Sequence, residues 1–88
     1  MTTALADTEL ANLVADKVVD ARGVACPGPL LEAKKGMGTV AVGDVIEVWS
    51  SDSQTKHDIE AWSGKVGHEF LGYLSADGYD RTFVRRAK

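Results

Sequence analysis

The succession of strand, helix and strand between Lys17 and Trp49 most limits what this chain can fold into. Lys17-Val18-Val19-Asp20-Ala21 carries a β-branched pair, and Val45-Ile46-Glu47-Val48-Trp49 is the strongest strand signal in the chain. Between them Leu30, Ala33 or Lys34, and Met37 recur at i, i+3/i+4 and i+7, the spacing of an amphipathic helix. Two strands joined through a helix lie parallel, and the crossover is right-handed. A second helix is predicted from about Gln54 to Val66, with Thr55, Ile59, Trp62 and Val66 on one face. Two further strands follow, Glu69 to Ser75 and Asp80 to Arg86, with Asp77-Gly78 between them as a hairpin signal. The order β-α-β-α-β-β predicts an α+β two-layer sandwich: a mixed four-stranded sheet with two helices on one face. At 88 residues and 44% hydrophobic content, the chain suits a single domain over 17–88. Residues 1–16 read as an N-terminal extension, in which Leu5, Leu10, Leu13 and Val14 keep loose helical spacing.

Local signals place the helix ends. Pro27 and Pro29 suit a first helical turn, where a missing N–H costs nothing. Lys34 and Lys35 favour the negative end of the first helix, and Gly36 and Gly38 read as its terminators. Thr55 with Asp58, or else Asp52, reads as the cap of the second helix. Trp49 and Trp62 read as core, with Trp49 a docking patch instead if it lies on the outer face.

Charge narrows the functions. Ten Lys and Arg against thirteen Asp and Glu give −3, which disfavours nucleic-acid binding by bulk electrostatics. Arg81, Arg85, Arg86 and Lys88 make the C-terminal end basic, as expected for an exposed edge strand and tail. No run approaches the roughly 18 apolar residues of a membrane helix, and residues 1–16 lack the basic region of a secretory signal. The expected location is cytoplasmic, where a thiol stays reduced.

One cysteine, Cys26, excludes an internal disulfide and a Cys-x-x-Cys pair. A lone cysteine is ordinarily a small buried hydrophobe. Cys26-Pro27-Gly28-Pro29, however, falls after a loop and at or just before a helix start. Unpaired N–H groups and the positive dipole end there favour thiolate, the nucleophilic form. His57 and His68 have no ligand-like spacing, so no metal site is expected, and no cofactor motif is present.

The string Val19-Asp20-Ala21-Arg22-Gly23-Val24-Ala25-Cys26-Pro27-Gly28-Pro29-Leu30-Leu31 resembles the signature of the TusA/SirA sulfur-carrier family. The resemblance extends to Gly43-Asp44, Asp52, the Thr55–Ile59 helix start and Gly67-His68-Glu69-Phe70, and it covers about residues 17 to 86. It implies a carrier or sulfurtransferase that accepts sulfane sulfur on Cys26, as persulfide or thiosulfonate, and passes it to an acceptor thiol. Arg22, Gly23, Pro27, Gly28 and Pro29 would position that loop, with Asp52 and Lys56 as candidate neighbours. Implied partners are donor and acceptor proteins: cysteine desulfurase, rhodanese-like, DsrE-like or heterodisulfide-reductase-like. The implied pathways are sulfur oxidation or tRNA thiolation. Without a second cysteine, a bound persulfide cannot collapse to an internal disulfide.

Two departures from the family pattern stand out. Gly28 lies where tRNA-thiolation members carry a charged residue, and Pro-Gly-Pro followed by Leu-Leu-Glu is closer to members of sulfur-oxidising or Dsr-type pathways. Asp52-Ser53 replaces an acidic residue followed by proline, which predicts a less rigid loop. Arg22 stands open between two readings, steering an anionic sulfur species or a surface charge beside Asp20. Lys56 and Arg81 are further candidates to rim the site. The competing reading of the whole chain is a non-catalytic regulatory or interaction module on the same fold, docking through its basic C-terminal strand.

Overall fold

The computed structural model describes residues 15–24 and 28–88. Its elements are β1 (Lys17–Asp20), α1 (Gly28–Met37), β2 (Val45–Ser50), α2 (Thr55–Val66), β3 (Glu69–Ala76) and β4 (Tyr79–Arg85). The four strands form one sheet in the order β1-β2-β4-β3. β1 runs parallel to β2, with Val19 beside Val48, and both pairings of β4 are antiparallel. The mixed sheet, with both helices on one face, agrees with the sequence expectation.

Alternation along the strands divides the buried residues into two sets. Val19, Ile46, Val48 and Val84 face the helices and meet Ala33 and Met37 of α1 and Ile59 of α2. Leu30, Val40, Trp62 and Phe70 close the margin of this main core. Val45, Leu71 and Phe83 form a smaller cluster, joined by Ala15 and Leu74. The register shift between Phe70 and Gly72 inserts Leu71 into it: a β-bulge changes which face a strand residue serves.

Two expectations fail for tertiary reasons. Gly36 does not end α1; the helix continues to Met37, and Gly36 is buried. A Cβ on Gly36 would sit 2.6 Å from Val19 Cγ2, so glycine here permits close approach of α1 to β1. The basic C-terminal residues do not guard an edge, because β4 lies inside the sheet and the edges are β1 and β3. Arg81 binds Glu47 at 2.7 Å, and Arg85 binds Glu69 at 2.9 Å. Arg86 donates to the carbonyls of Met37, the last residue of α1, and of Val40 in the loop that follows. The docking edge supposed for β4 in the regulatory reading is therefore absent.

The two helical glycines predict opposite outcomes for the same substitution. Gly64 in α2 has no heavy atom within 4 Å of a built Cβ. Gly64→Ala is expected to raise stability by ~0.5–1 kcal/mol through helix propensity. Gly36→Ala is expected to lower it by about 1–2 kcal/mol, the overpacking cost outweighing the same propensity gain. Urea midpoints of the two variants check the signs.

α2 ends on Gly67, at φ +86°, whose N–H donates to Ser63 O. His68 follows, its ring 5.5 Å from that of Trp62, and its Nδ1 accepts from the Ala87 N–H at 3.1 Å. Burial, followed by the charges of Arg86 and Lys88, holds the His68 pKa below its ordinary value of 6.5. The unfolded chain therefore binds the proton more readily than the folded one. The contribution of His68 is complete above pH 6.5 and is lost as pH falls through its folded pKa. Urea midpoints should decline over that window, and His68→Gln should flatten the decline.

Candidate functional site

The C-terminal ends of β1 and β2 and the N-terminal ends of α1 and α2 meet at one end of the molecule. β1 passes into a turn in which Val24 N–H donates to Ala21 O at 3.2 Å and Gly23 takes φ +80°. That value at the third position is what a type II turn requires, which accounts for glycine after Arg22. The Gly23 N–H donates to Ser51 Oγ at 3.2 Å, tying this turn to the loop after β2. Ala21 N–H donates to Trp49 O at 2.9 Å and extends the β1–β2 ladder by one bond.

Arg22 is fixed at the turn. Its Nε and Nη2 donate to the two oxygens of Asp20 at 2.9 and 2.8 Å, and its backbone N–H donates to the same carboxylate at 3.2 Å. The guanidinium carbon lies 4.8 Å from the Trp49 ring centroid and 5.0 Å from that of Tyr79. The side-chain and backbone hydrogen bonds from Arg22 hold the Asp20 carboxyl below its usual pKa. Between the two readings of Arg22, the pairing with Asp20 is what the structure shows, with two aromatic rings as further anchors. Trp49 belongs to the helix-free face and not to the main core. Its Nε1 donates to Glu47, a carboxylate that also takes the Arg81 bond and is 4% exposed.

The loop between β2 and α2 is held by side chains, contrary to the looser loop expected without proline. Ser50 Oγ donates to Thr55 Oγ1 at 2.8 Å and accepts from the Asp52 N–H at 3.1 Å. Asp52 Oδ1 accepts from the Gln54 N–H at 2.9 Å, an Asx-type turn that leads into the helix. Gln54 is the N-cap and makes no side-chain capping bond. Of the two predicted caps, Thr55 lies inside the helix and binds Ser50, whereas Asp52 satisfies the Gln54 N–H at the helix entry. Lys56 Nζ binds Asp80 and Ser53 O, each at 2.9 Å, and lies 5.1 Å from the Tyr73 ring centroid. Arg22, Lys56 and Arg81 thus each sit in an ion pair.

Cys26, with Ala25 and Pro27, lies outside the described residues, so the calls on Cys26 and Pro27 rest on their flanks. Those flanks touch: a Cβ on Gly28 would lie 2.2 Å from Val24 Cγ1. Pro29 is buried in the first turn of α1, and that turn carries no acidic residue. Val24 and Leu31 are exposed apolar side chains on either side of the cysteine segment. Sequence reading missed the Val24–Gly28 contact; the signal was the glycine itself, the residue that leaves room for Val24. Gly28→Glu is expected to displace Val24 and cost about 1–3 kcal/mol by overpacking. Val24→Ala should recover most of that loss in a double-mutant cycle of urea midpoints.

Comparison with known proteins agrees with this architecture. Residues 17–86 match the family described as sulfurtransferase TusA. A protein of Archaeoglobus fulgidus named as a putative sulfur carrier is 46% identical over 71 residues, covering 81% of this chain and 97% of its own. The sulfur carrier protein TusA of Pseudomonas entomophila is 31% identical over 77 residues, covering 88% and 96%. A SirA-like protein of Desulfitobacterium hafniense, known as a crystal structure, shares the fold at TM-score 0.71 and 23% identity, covering 82% of this chain and 99% of its own. With a family match over nearly all of the folded domain, and relatives matched over almost their whole length, the chain belongs to the TusA sulfurtransferase family.

Proposed function

We propose that this protein is a sulfur carrier that works through Cys26. The observation supporting this most directly is position. The only cysteine of the chain stands two residues ahead of Gly28, the first residue of a ten-residue helix with no acidic side chain in its first turn. The orphan N–H groups and the positive dipole end of such a helix stabilise a thiolate. The thiolate attacks the outer sulfur of a donor persulfide. The donor S–S bond breaks, a new S–S bond forms to Cys26, and the donor leaves as thiolate. An acceptor thiolate then attacks that outer sulfur, and Cys26 is released as thiolate again. Each exchange conserves electrons, so no external oxidant is required.

The flanks suit transfer between proteins. Val24 and Leu31 are 41% and 52% exposed and offer apolar contact beside the cysteine. Donor and acceptor proteins dock in turn at this end of the sandwich. Sulfur oxidation or tRNA thiolation is the expected setting, in the cytoplasm. Among the described residues no helix is long and apolar enough to cross a membrane.

The test is to incubate the full chain with a small-molecule persulfide or with tetrathionate and record the intact mass. A covalent sulfur adduct at Cys26 that moves to an added protein thiol supports the carrier reading. No adduct with either donor refutes it.

A further inference from the structure

A cavity of about 510 Å³ opens at the end of the sandwich remote from the cysteine. Its walls are the last turns of α1 and α2, the residue before β3 and the residues after β4. β4 runs antiparallel to β2, so these walls lie away from the ends of β1 and β2 that precede the cysteine turn. Met37, Trp62 and Val66 give the cavity an apolar lining, and Lys34, Lys65, Arg86 and Lys88 give it charge. Among the described residues no acidic side chain lines it, although the whole chain carries −3. Nor do Lys34, Lys65 and Lys88 enter any ion pair among the described residues. We propose that this cavity docks an acidic segment of a partner protein, an apolar side chain of that segment resting on the apolar lining and its carboxylates meeting the lysines.

The helix ends do not account for these cations. Lys34 and Lys65 stand in the last turns of their helices and face the negative dipole ends there. Two such ends cancel only about one unit of charge, so four cations leave the cavity positive. Arg86 is fixed in the wall by its bonds to the carbonyls of Met37 and Val40. Lys88 lies over Gly67, where a Cβ would come 2.8 Å from its Cε. The lysines remain for a partner. A compact phosphate is the poorer fit, because phosphate sites draw on the N–H groups of helix N-termini and both helices present their carbonyl ends here. Lysines on flexible stems, carried by α1, α2 and the C-terminal tail, match carboxylates spread along a chain. Charges of this kind speed encounter and weaken with salt, as suits transient docking. Docking here leaves the cysteine end uncovered and requires nothing of the sulfur chemistry.

NMR titration of the full chain with a capped peptide, one leucine between two pairs of glutamates, tests the site. The Trp62 indole N–H and the amides of Lys65, Val66 and His68 should shift, while those of Gly23 and Trp49 stay in place. Exchanging the leucine of the peptide for serine should weaken binding severalfold. Raising the ionic strength from about 0.02 M to about 0.3 M should do the same. The variant Lys34→Glu with Lys65→Glu changes two exposed side chains and should weaken binding at least about tenfold. Absence of shifts at millimolar peptide, or shifts that the double variant leaves unaltered, overturns the proposal. Tighter binding of inorganic phosphate or of a single-stranded RNA at the same residues overturns it too. So does a dimer of the free chain that the double variant dissociates, since a second copy would then fill the cavity.

Discussion

Cys26→Ser is expected to abolish sulfur loading. A serine hydroxyl is a poor nucleophile toward sulfane sulfur and has no accessible anion near neutral pH, whereas a cysteine at a helix start is partly thiolate. Intact mass after exposure to a persulfide donor should show the adduct on the parent chain and none on the variant. Transfer to an acceptor thiol should fall to the uncatalysed rate. Persistence of the adduct in the variant would end the carrier reading. The electrostatic part of the argument has its own check. The alkylation rate of Cys26 with iodoacetamide should rise with pH to a midpoint below about 8.5, the value of an unperturbed thiol. A midpoint at or above that value removes the helix-start argument while leaving the adduct experiment intact.

Ile59→Ala is expected to have the largest effect on stability. Ile59 is fully buried in α2 and joins the main core formed by β1, β2, β4 and α1. Truncation loses the transfer free energy of the removed carbons and leaves a cavity that α2 can close only partly. Both ends of that helix are tied, by Ser50 at Thr55 and by the Gly67 turn. The combined cost is about 2–5 kcal/mol. For a domain of this size that corresponds to a fall in melting temperature of roughly 4–8 °C for each kcal/mol. Small domains hold only about 5–15 kcal/mol in total, so the variant should approach marginal folding. A loss below about 1 kcal/mol would mean that α2 repacks freely.

Much of the fold was legible because its signals are local. The strand at Val45 and the helical spacing of Leu30, Ala33 and Met37 depend on side-chain periodicity, which holds wherever the element packs. The hairpin at Asp77-Gly78 was legible for a related reason: a two-residue loop needs a positive φ, and Gly78 supplies it at +82°. Gly36 was misread because its role is non-local. A glycine near a helix end signals termination, and nothing near it in sequence discloses that Val19 occupies the space of its missing Cβ. The arginines were misread likewise. Sequence order makes β4 the last strand, whereas the sheet inserts it between β2 and β3. That insertion turns Arg81 and Arg85 from edge charges into partners of Glu47 and Glu69.

The site divides along the same line. From the amino-acid order alone follow the single thiol, its place before a helix and the glycines that its turn requires. These are properties of neighbouring residues and of backbone sterics. The tertiary structure alone decides which charges are committed. Arg22 lies against Trp49 and Tyr79, and Lys56 at the start of α2 reaches Asp80 of β4. Ion pairs and ring contacts of this kind depend on distances across the sheet. Those distances exist only once β1, β2 and β4 lie side by side and bring together residues far apart in the chain.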